Sequence, residues 1–137
     1  PWEWHEAIFN EAKKYGLIAF STPFDFTAVD FLDKLDNPIY KIASFEITDI
    51  PLIEFAAKKG KPMILSTGIA DLAMIEEAVR ACRRVGNNDI TLLKCTSSYP
   101  ANPEQVNLLT MPNLKETFAV KVGLSDHTTG GAVAIAQ

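Results

Sequence analysis

The sequence predicts an α/β protein with a parallel sheet, and three observations carry that expectation. Five short runs are near-continuously apolar, as strands buried on both faces are. Helical stripes separate them, and each run closes on hydroxyl side chains. Five strand and helix units in series imply right-handed crossovers, in either an open doubly wound sheet or part of a (β/α)8 barrel. A whole TIM barrel takes roughly 250 residues, so in this chain of 137 the barrel alternative is a central portion of about five βα units, truncated at both ends.

The elements follow in order. Trp2 to Tyr15 reads as a helix with no strand before it. LIAFST, Leu17 to Thr22, is the first apolar run, and Ala28, Val29, Phe31, Leu32 and Leu35 then form an apolar stripe at helical spacing. YKIAS, Tyr40 to Ser44, and PMILST, Pro62 to Thr67, are the second and third runs. Leu72, Ile75, Ala78, Val79 and Cys82 mark another helix. ITLLKCT, Ile90 to Thr96, and VKVGLSDH, Val120 to His127, complete the set. Gly60 and Gly86 stand where left-handed C-terminal helix caps are expected, and Thr110 before Met111-Pro112 reads as a helix start. GGAVAIAQ stops as a helix begins, and with a first residue other than methionine this adds to the expectation of a fragment. One partial catalytic domain, residues 1–137, is expected, without internal linker or low-complexity stretch.

Composition excludes several partner classes. Apolar residues make up 47% of the chain, enough to bury a core and to argue against disorder. Thirteen basic against seventeen acidic residues leave a net charge of −4, with no Lys/Arg cluster suited to a phosphate backbone, so nucleic acid is not an expected partner. No apolar run approaches the ~20 residues of a membrane helix, and no signal-peptide pattern is present. A soluble, cytoplasmic protein is the expectation. Cys82 and Cys95 are too few and too far apart for a CxxC site or a disulfide scaffold, and are read as free cytosolic thiols.

Reactive groups in α/β folds gather at the carboxyl ends of strands. Those ends carry Ser21-Thr22, Ser44 with Glu46, Ser66-Thr67, Thr96-Ser97-Ser98, and Ser125-Asp126-His127. Converging hydroxyls and backbone N–H groups suit an anion, although each Ser or Thr taken singly could cap the next helix. Lys41 lies inside an apolar strand, where an unpaired ammonium costs several kcal/mol; it needs an anionic partner or a route to solvent at the other face of the sheet. Lys94 poses the same question near a strand exit, whereas Lys121 reads as exposed. Glu46 and Asp126 could orient a hydroxyl, hold a metal-bound water or act as bases, or could be solvated loop charges. His127 as a metal ligand would need partners beyond this chain, because His5 lies on the leading helix. Ser125, Asp126 and His127 are contiguous, which disfavours a catalytic triad, and no G-x-S-x-G elbow occurs.

FSTPFD (Phe20 to Asp25), KIASFEITDIPLIE (Lys41 to Glu54), STGIA (Ser66 to Ala70), KCTSSYPA (Lys94 to Ala101) and VGLSDHT (Val122 to Thr128) resemble the sialic acid synthase family, which condenses phosphoenolpyruvate with an N-acetylated amino sugar. The resemblance implies the barrel alternative, with a divalent ion, Mn2+ or a similar one such as Mg2+, and a C-terminal antifreeze-like domain that covers the partner's active site in a homodimer. It implies that Lys41, Thr22, Ser44, Ser66 and Ser125 hold the carboxylate and phosphate of phosphoenolpyruvate and that His127 is one of two metal-binding histidines. Glu46 and Tyr99 match residues that contact the sugar or lie close to the reacting carbons, and Phe24 matches one packed nearby. Sialic acid synthases proper usually carry Gly at Phe45, His at Lys94 and Asn or a similar residue at Ser97. The pattern here is more similar to the pseudaminic acid branch, and Phe45 and Ser97 are expected beside the sugar. The N-acetylneuraminate and legionaminic acid synthases are the alternatives. Further off are an aldolase with a Schiff-base lysine at Lys41 or Lys94, and a non-catalytic response-regulator-like module, whose first strand should end in acids rather than hydroxyls.

Overall fold

The computed structural model describes residues 2–136; Pro1 and Gln137, at the ends of the terminal stretches noted above, lie outside it. The chain runs through α1 (Trp4–Lys14), α2 (Phe26–Lys34), β1 (Tyr40–Ile42), a 3-10 turn (Ser44–Thr48), α3 (Ile50–Ala57) and β2 (Met63–Ser66). It continues through α4 (Leu72–Arg84), β3 (Ile90–Cys95), a second 3-10 turn (Pro103–Gln105), α5 (Thr110–Phe118), β4 (Lys121–Ser125) and α6 (Ala132–Ala136). The four strands form one parallel sheet in the order β1-β2-β3-β4. Sequential order of this kind is what successive βα units produce when every crossover has the same hand.

Side chains alternate across the sheet. Tyr40, Ile42, Met63, Leu65, Ile90 and Leu92 are buried, and form one core with Val29, Leu32, Leu52, Ile53, Ala78, Val79 and Cys82 from the helices. Lys41, Ile64, Thr91 and Leu93 fall on the opposite, half-buried face. Burial raises the Cys82 thiol pKa to about 12, so that cysteine is an inert core residue, as the sequence implies.

The helix boundaries have local causes. Aspartates begin three helices: Asp25, Asp49 and Asp71 accept from the backbone N–H of Ala28 (2.7 Å), Leu52 (3.1 Å) and Met74 (2.9 Å). Gly60 and Gly86 have φ of 73° and 86°, the left-handed conformation at which L side chains are strained, and they end the segments after α3 and α4 as expected.

One stretch differs from the sequence expectation. Leu17–Thr22 joins no ladder, and the sheet of the described residues has four strands. The Ser21 N–H is given to the Asn37 side chain (3.2 Å) rather than to β1, while the Tyr40 N–H bond to Pro62 O (3.0 Å) belongs to the β1–β2 ladder. Leu17 and Ile18 are exposed; apolar composition reports affinity for burial, whereas a strand also needs a backbone partner. Among the described residues no helix is long and apolar enough to cross a membrane.

Candidate active site

The parallel register fixes which residues share a level at the carboxyl edge of the sheet. Ser66 of β2 is level with Leu93 of β3, and Cys95 of β3 is level with Ser125 of β4. Lys41 pairs with Ile64, two residues below Ser66 along β2. At about 3.3 Å rise per residue this is roughly 7 Å, a span comparable to an extended lysine side chain. Lys41 is half-buried and has no ion pair among the described residues. Lys94 differs: its Nζ donates to the Cys95 carbonyl oxygen at 3.1 Å. Lys121 is exposed and pairs with Asp89 at 2.8 Å.

Ser21-Thr22, Ser44 and Ser66-Thr67 are free of the capping task that the sequence left open for them, because aspartates cap α2, α3 and α4. Ser44 and Ser66 are both buried. Ser44 Oγ accepts from the Gly68 N–H at 3.2 Å. Thr67 spends its hydroxyl on the Leu93 carbonyl oxygen at 3.0 Å, which marks it as structural. Thr22 and Ser97 are half-buried. Phe24, just before α2, is exposed, as are Phe45 and Tyr99.

His127 is the most constrained side chain of the group. Its Nδ1 lies 3.0 Å from Thr96 O, and its Nε2 lies 3.3 Å from Ser125 Oγ. A carbonyl can only accept, so Nδ1 carries the proton and Nε2 keeps its lone pair. The Ala101 N–H holds the His127 carbonyl oxygen at 2.8 Å, and the Tyr99 ring lies over the imidazole with centroids 4.3 Å apart. Cys95 Sγ approaches Nδ1 at 3.7 Å.

Asp126 does not orient the imidazole through Nδ1, the position a triad requires. It accepts from the Thr128 N–H at 2.9 Å, and that bond, with the Thr128 hydroxyl, holds its carboxyl below the ordinary carboxylate range. Glu46, on the first 3-10 turn, is another matter: its Oε2 is buried with no hydrogen-bond partner among the described residues. A buried unpartnered carboxylate oxygen is costly, so Glu46 is not simply a solvated loop charge. Thr96 Oγ1 is the other such atom.

A metal fits His127 in part. The imidazole presents a lone pair at Nε2 and is oriented through its other nitrogen by a carbonyl, the usual support of a metal-binding histidine. No cluster of three or more His, Cys, Asp or Glu able to hold an ion occurs among the described residues, so His127 fits as a single ligand. Three participants carry no sequence signal that marks them for a site: Gly68, Cys95, and the main-chain oxygen of Thr96.

The model of the NeuB family matches residues 1–137. The pseudaminic acid synthase of Helicobacter pylori is 55% identical over 130 residues, which cover 95% of this chain and 38% of that protein. The N,N'-diacetyllegionaminic acid synthase of Campylobacter jejuni is 45% identical over 134 residues, covering 96% of this chain and 40% of that protein. The crystal structure of N-acetylneuraminic acid (sialic acid) synthetase from Leptospira borgpetersenii in complex with citrate superposes with a TM-score of 0.95 at 33% identity, over 99% of this chain and 47% of that one. The chain thus spans about two fifths of the length of the curated relatives it matches, and its strands are those of a segment of a TIM barrel.

Proposed function

The chain belongs to the NeuB family, and we propose that its site serves the condensation of phosphoenolpyruvate with an N-acetylated amino sugar to a nonulosonic acid, as a pseudaminic acid synthase. What supports this is that Ser44, Ser66, Ser125 and His127 stand at or just after the carboxyl ends of β1, β2 and β4, with Glu46 Oε2 buried and without a hydrogen-bond partner, in a chain 55% identical to a pseudaminic acid synthase. The 45% identity to a legionaminic acid synthase favours that sugar as the second reading.

In this reading Lys41 supplies the fixed positive charge for the enol phosphate, and Thr22, Ser44, Ser66 and Ser125 donate to its phosphate and carboxylate oxygens, Ser125 by turning its O–H away from His127 Nε2. Phe24, Phe45, Ser97 and Tyr99 lie toward the sugar. C3 of phosphoenolpyruvate forms the new bond to the aldehyde carbon of the open-chain sugar, whose oxygen takes up a proton and becomes a hydroxyl. Water adds at C2, which has become electron-poor, and loses a proton. Cleavage of the C2–O bond then releases inorganic phosphate and leaves the keto acid. Glu46 handles the proton of that water or steadies the positive charge at C2. Holding both partners in place turns a bimolecular encounter into a local one. His127 Nε2 is the ligand this chain offers to a divalent ion, Mn2+ or Mg2+; such an ion supplies Lewis acidity toward a carbonyl oxygen when bound. The protein acts in the cytoplasm as a homodimer.

Phosphoenolpyruvate labelled with 18O at its bridging oxygen tests the reading. Label recovered in phosphate is the expected result, and label retained in the keto acid would contradict it.

A further inference from the structure

We propose that Gly68 is a positioning residue that sets the Ser44 and Ser97 hydroxyls. This rests on the reading above that those two serines face substrate.

The argument starts from why position 68 is glycine. Gly60 and Gly86 have positive φ and empty space where a side chain would go, so they serve the backbone. Gly68 has no left-handed φ, and its surroundings are full. A Cβ there would collide with Ser97 Oγ, and would stand 2.9 Å from Ser44 Oγ and 3.1 Å from Cys95 Sγ. The only comparable glycine, Gly123, would meet a single flexible leucine methyl at 3.0 Å. Space close to the α-carbon, rather than conformational freedom, therefore dictates glycine at 68.

The three side chains packed there come from two strand exits, Ser44 from β1 and Cys95 and Ser97 from β3, and each leads into the site. Ser44 follows β1 and accepts the Gly68 N–H at 3.2 Å. With one lone pair so engaged, its own O–H proton is left to donate to a ligand anion. Ser97 follows β3 and closes against the bare α-carbon. Cys95 touches the His127 imidazole at 3.7 Å, so crowding at 68 would also reach the far side of the site. Adding one methyl must displace Ser97 first, then Ser44 and Cys95, and none of these three nearest neighbours belongs to the core below, formed by Met63 and Leu65.

The test uses the whole protein that carries this chain, with Gly68→Ala, Ser97→Ala, Gly68→Ala/Ser97→Ala, Ser44→Ala/Ser97→Ala and the triple variant that combines all three changes. Gly68→Ala is expected to lower kcat/KM for phosphoenolpyruvate about tenfold or more with an unchanged circular dichroism spectrum. In the triple variant, Gly68→Ala/Ser44→Ala/Ser97→Ala, the loss should stay within about threefold of Ser44→Ala/Ser97→Ala, because residues that act through one another are not additive. Multiplied losses, or wild-type kinetics in Gly68→Ala, would overturn the proposal. Gly68→Ala/Ser97→Ala, which removes the nearest obstruction, should recover at least about threefold over Gly68→Ala; it also replaces Gly68→Ala in the cycle, read against Ser97→Ala, if the single variant does not fold.

A crystal structure of the folded position-68 variant decides independently of activity. Ser44 Oγ beyond about 3.5 Å from the residue 68 nitrogen supports the proposal, since the hydrogen bond is then lost. A hydroxyl that has not moved overturns it. If the unaltered protein releases no phosphate from phosphoenolpyruvate, the reading of function fails while this structural result still stands or falls alone.

Discussion

The Nδ1 atom of His127 lies 3.0 Å from the carbonyl oxygen of Thr96, and this fixes which end of the imidazole faces the site. The carbonyl takes the Nδ1 proton, so Nε2 is unprotonated in the neutral ring. Nitrogen NMR of the neutral histidine should report the Nδ1–H tautomer; the Nε2–H tautomer would contradict the assignment. His127→Ala should abolish chelator-sensitive phosphate release while leaving the secondary structure unchanged.

Glu46 is expected to trade stability for activity. Its Oε2 is buried without a partner, so Glu46→Gln, which keeps the shape and removes the charge, should be at least as stable as the unaltered protein by chemical denaturation. Its turnover should fall roughly 100-fold or more, the scale of a lost acid–base group. A less stable, fully active Gln variant would contradict both parts.

Ala119 closes α5 in the left-handed conformation, at φ 51° and ψ 51°. That conformation costs an L residue about 1–2 kcal/mol, while glycine loses roughly 0.5–1 kcal/mol more backbone entropy on folding. Ala119→Gly should therefore stabilise the protein by somewhat less than about 1 kcal/mol, measured by denaturant titration.

The alkaline limb of stability should carry the signature of Tyr40. Burial, with Asp33 nearby, raises its phenol pKa from the model-peptide 10.0 to about 12. The fold thus favours the neutral phenol. Between pH 10 and about 12 the unfolded chain ionises while the folded one does not, and the Tyr40 contribution is lost as pH rises. Tyr40→Phe should flatten this part of the stability curve and leave its neutral part parallel to that of the unaltered protein.

Much of this was legible in the sequence because period and composition are local. The apolar stripe of α4 and the runs around β2 and β3 announce themselves, and Gly60 and Gly86 sit where helices must end. Leu17–Thr22 shows the limit, since its residues suit a strand but a ladder depends on where its backbone groups go, and the Ser21 N–H goes to the Asn37 side chain. At the site, hydroxyl residues and His127 stand out by type. Gly68 does not, because its contribution is the absence of a side chain, and the Thr96 carbonyl oxygen does not, because every residue has one. The aspartate caps decide what single Ser and Thr positions could not: with Asp25, Asp49 and Asp71 at the helix starts, Ser44 and Ser66 have other uses.

Phosphate release from phosphoenolpyruvate, followed with the diacetamido-trideoxy altrose and with N-acetylmannosamine, each with and without chelator, tests the central claim most directly. Chelator-sensitive release with the first sugar alone is the predicted result, and it would leave Phe45 and Ser97 as the positions to exchange. Release with N-acetylmannosamine alone, or release indifferent to chelator, would contradict it.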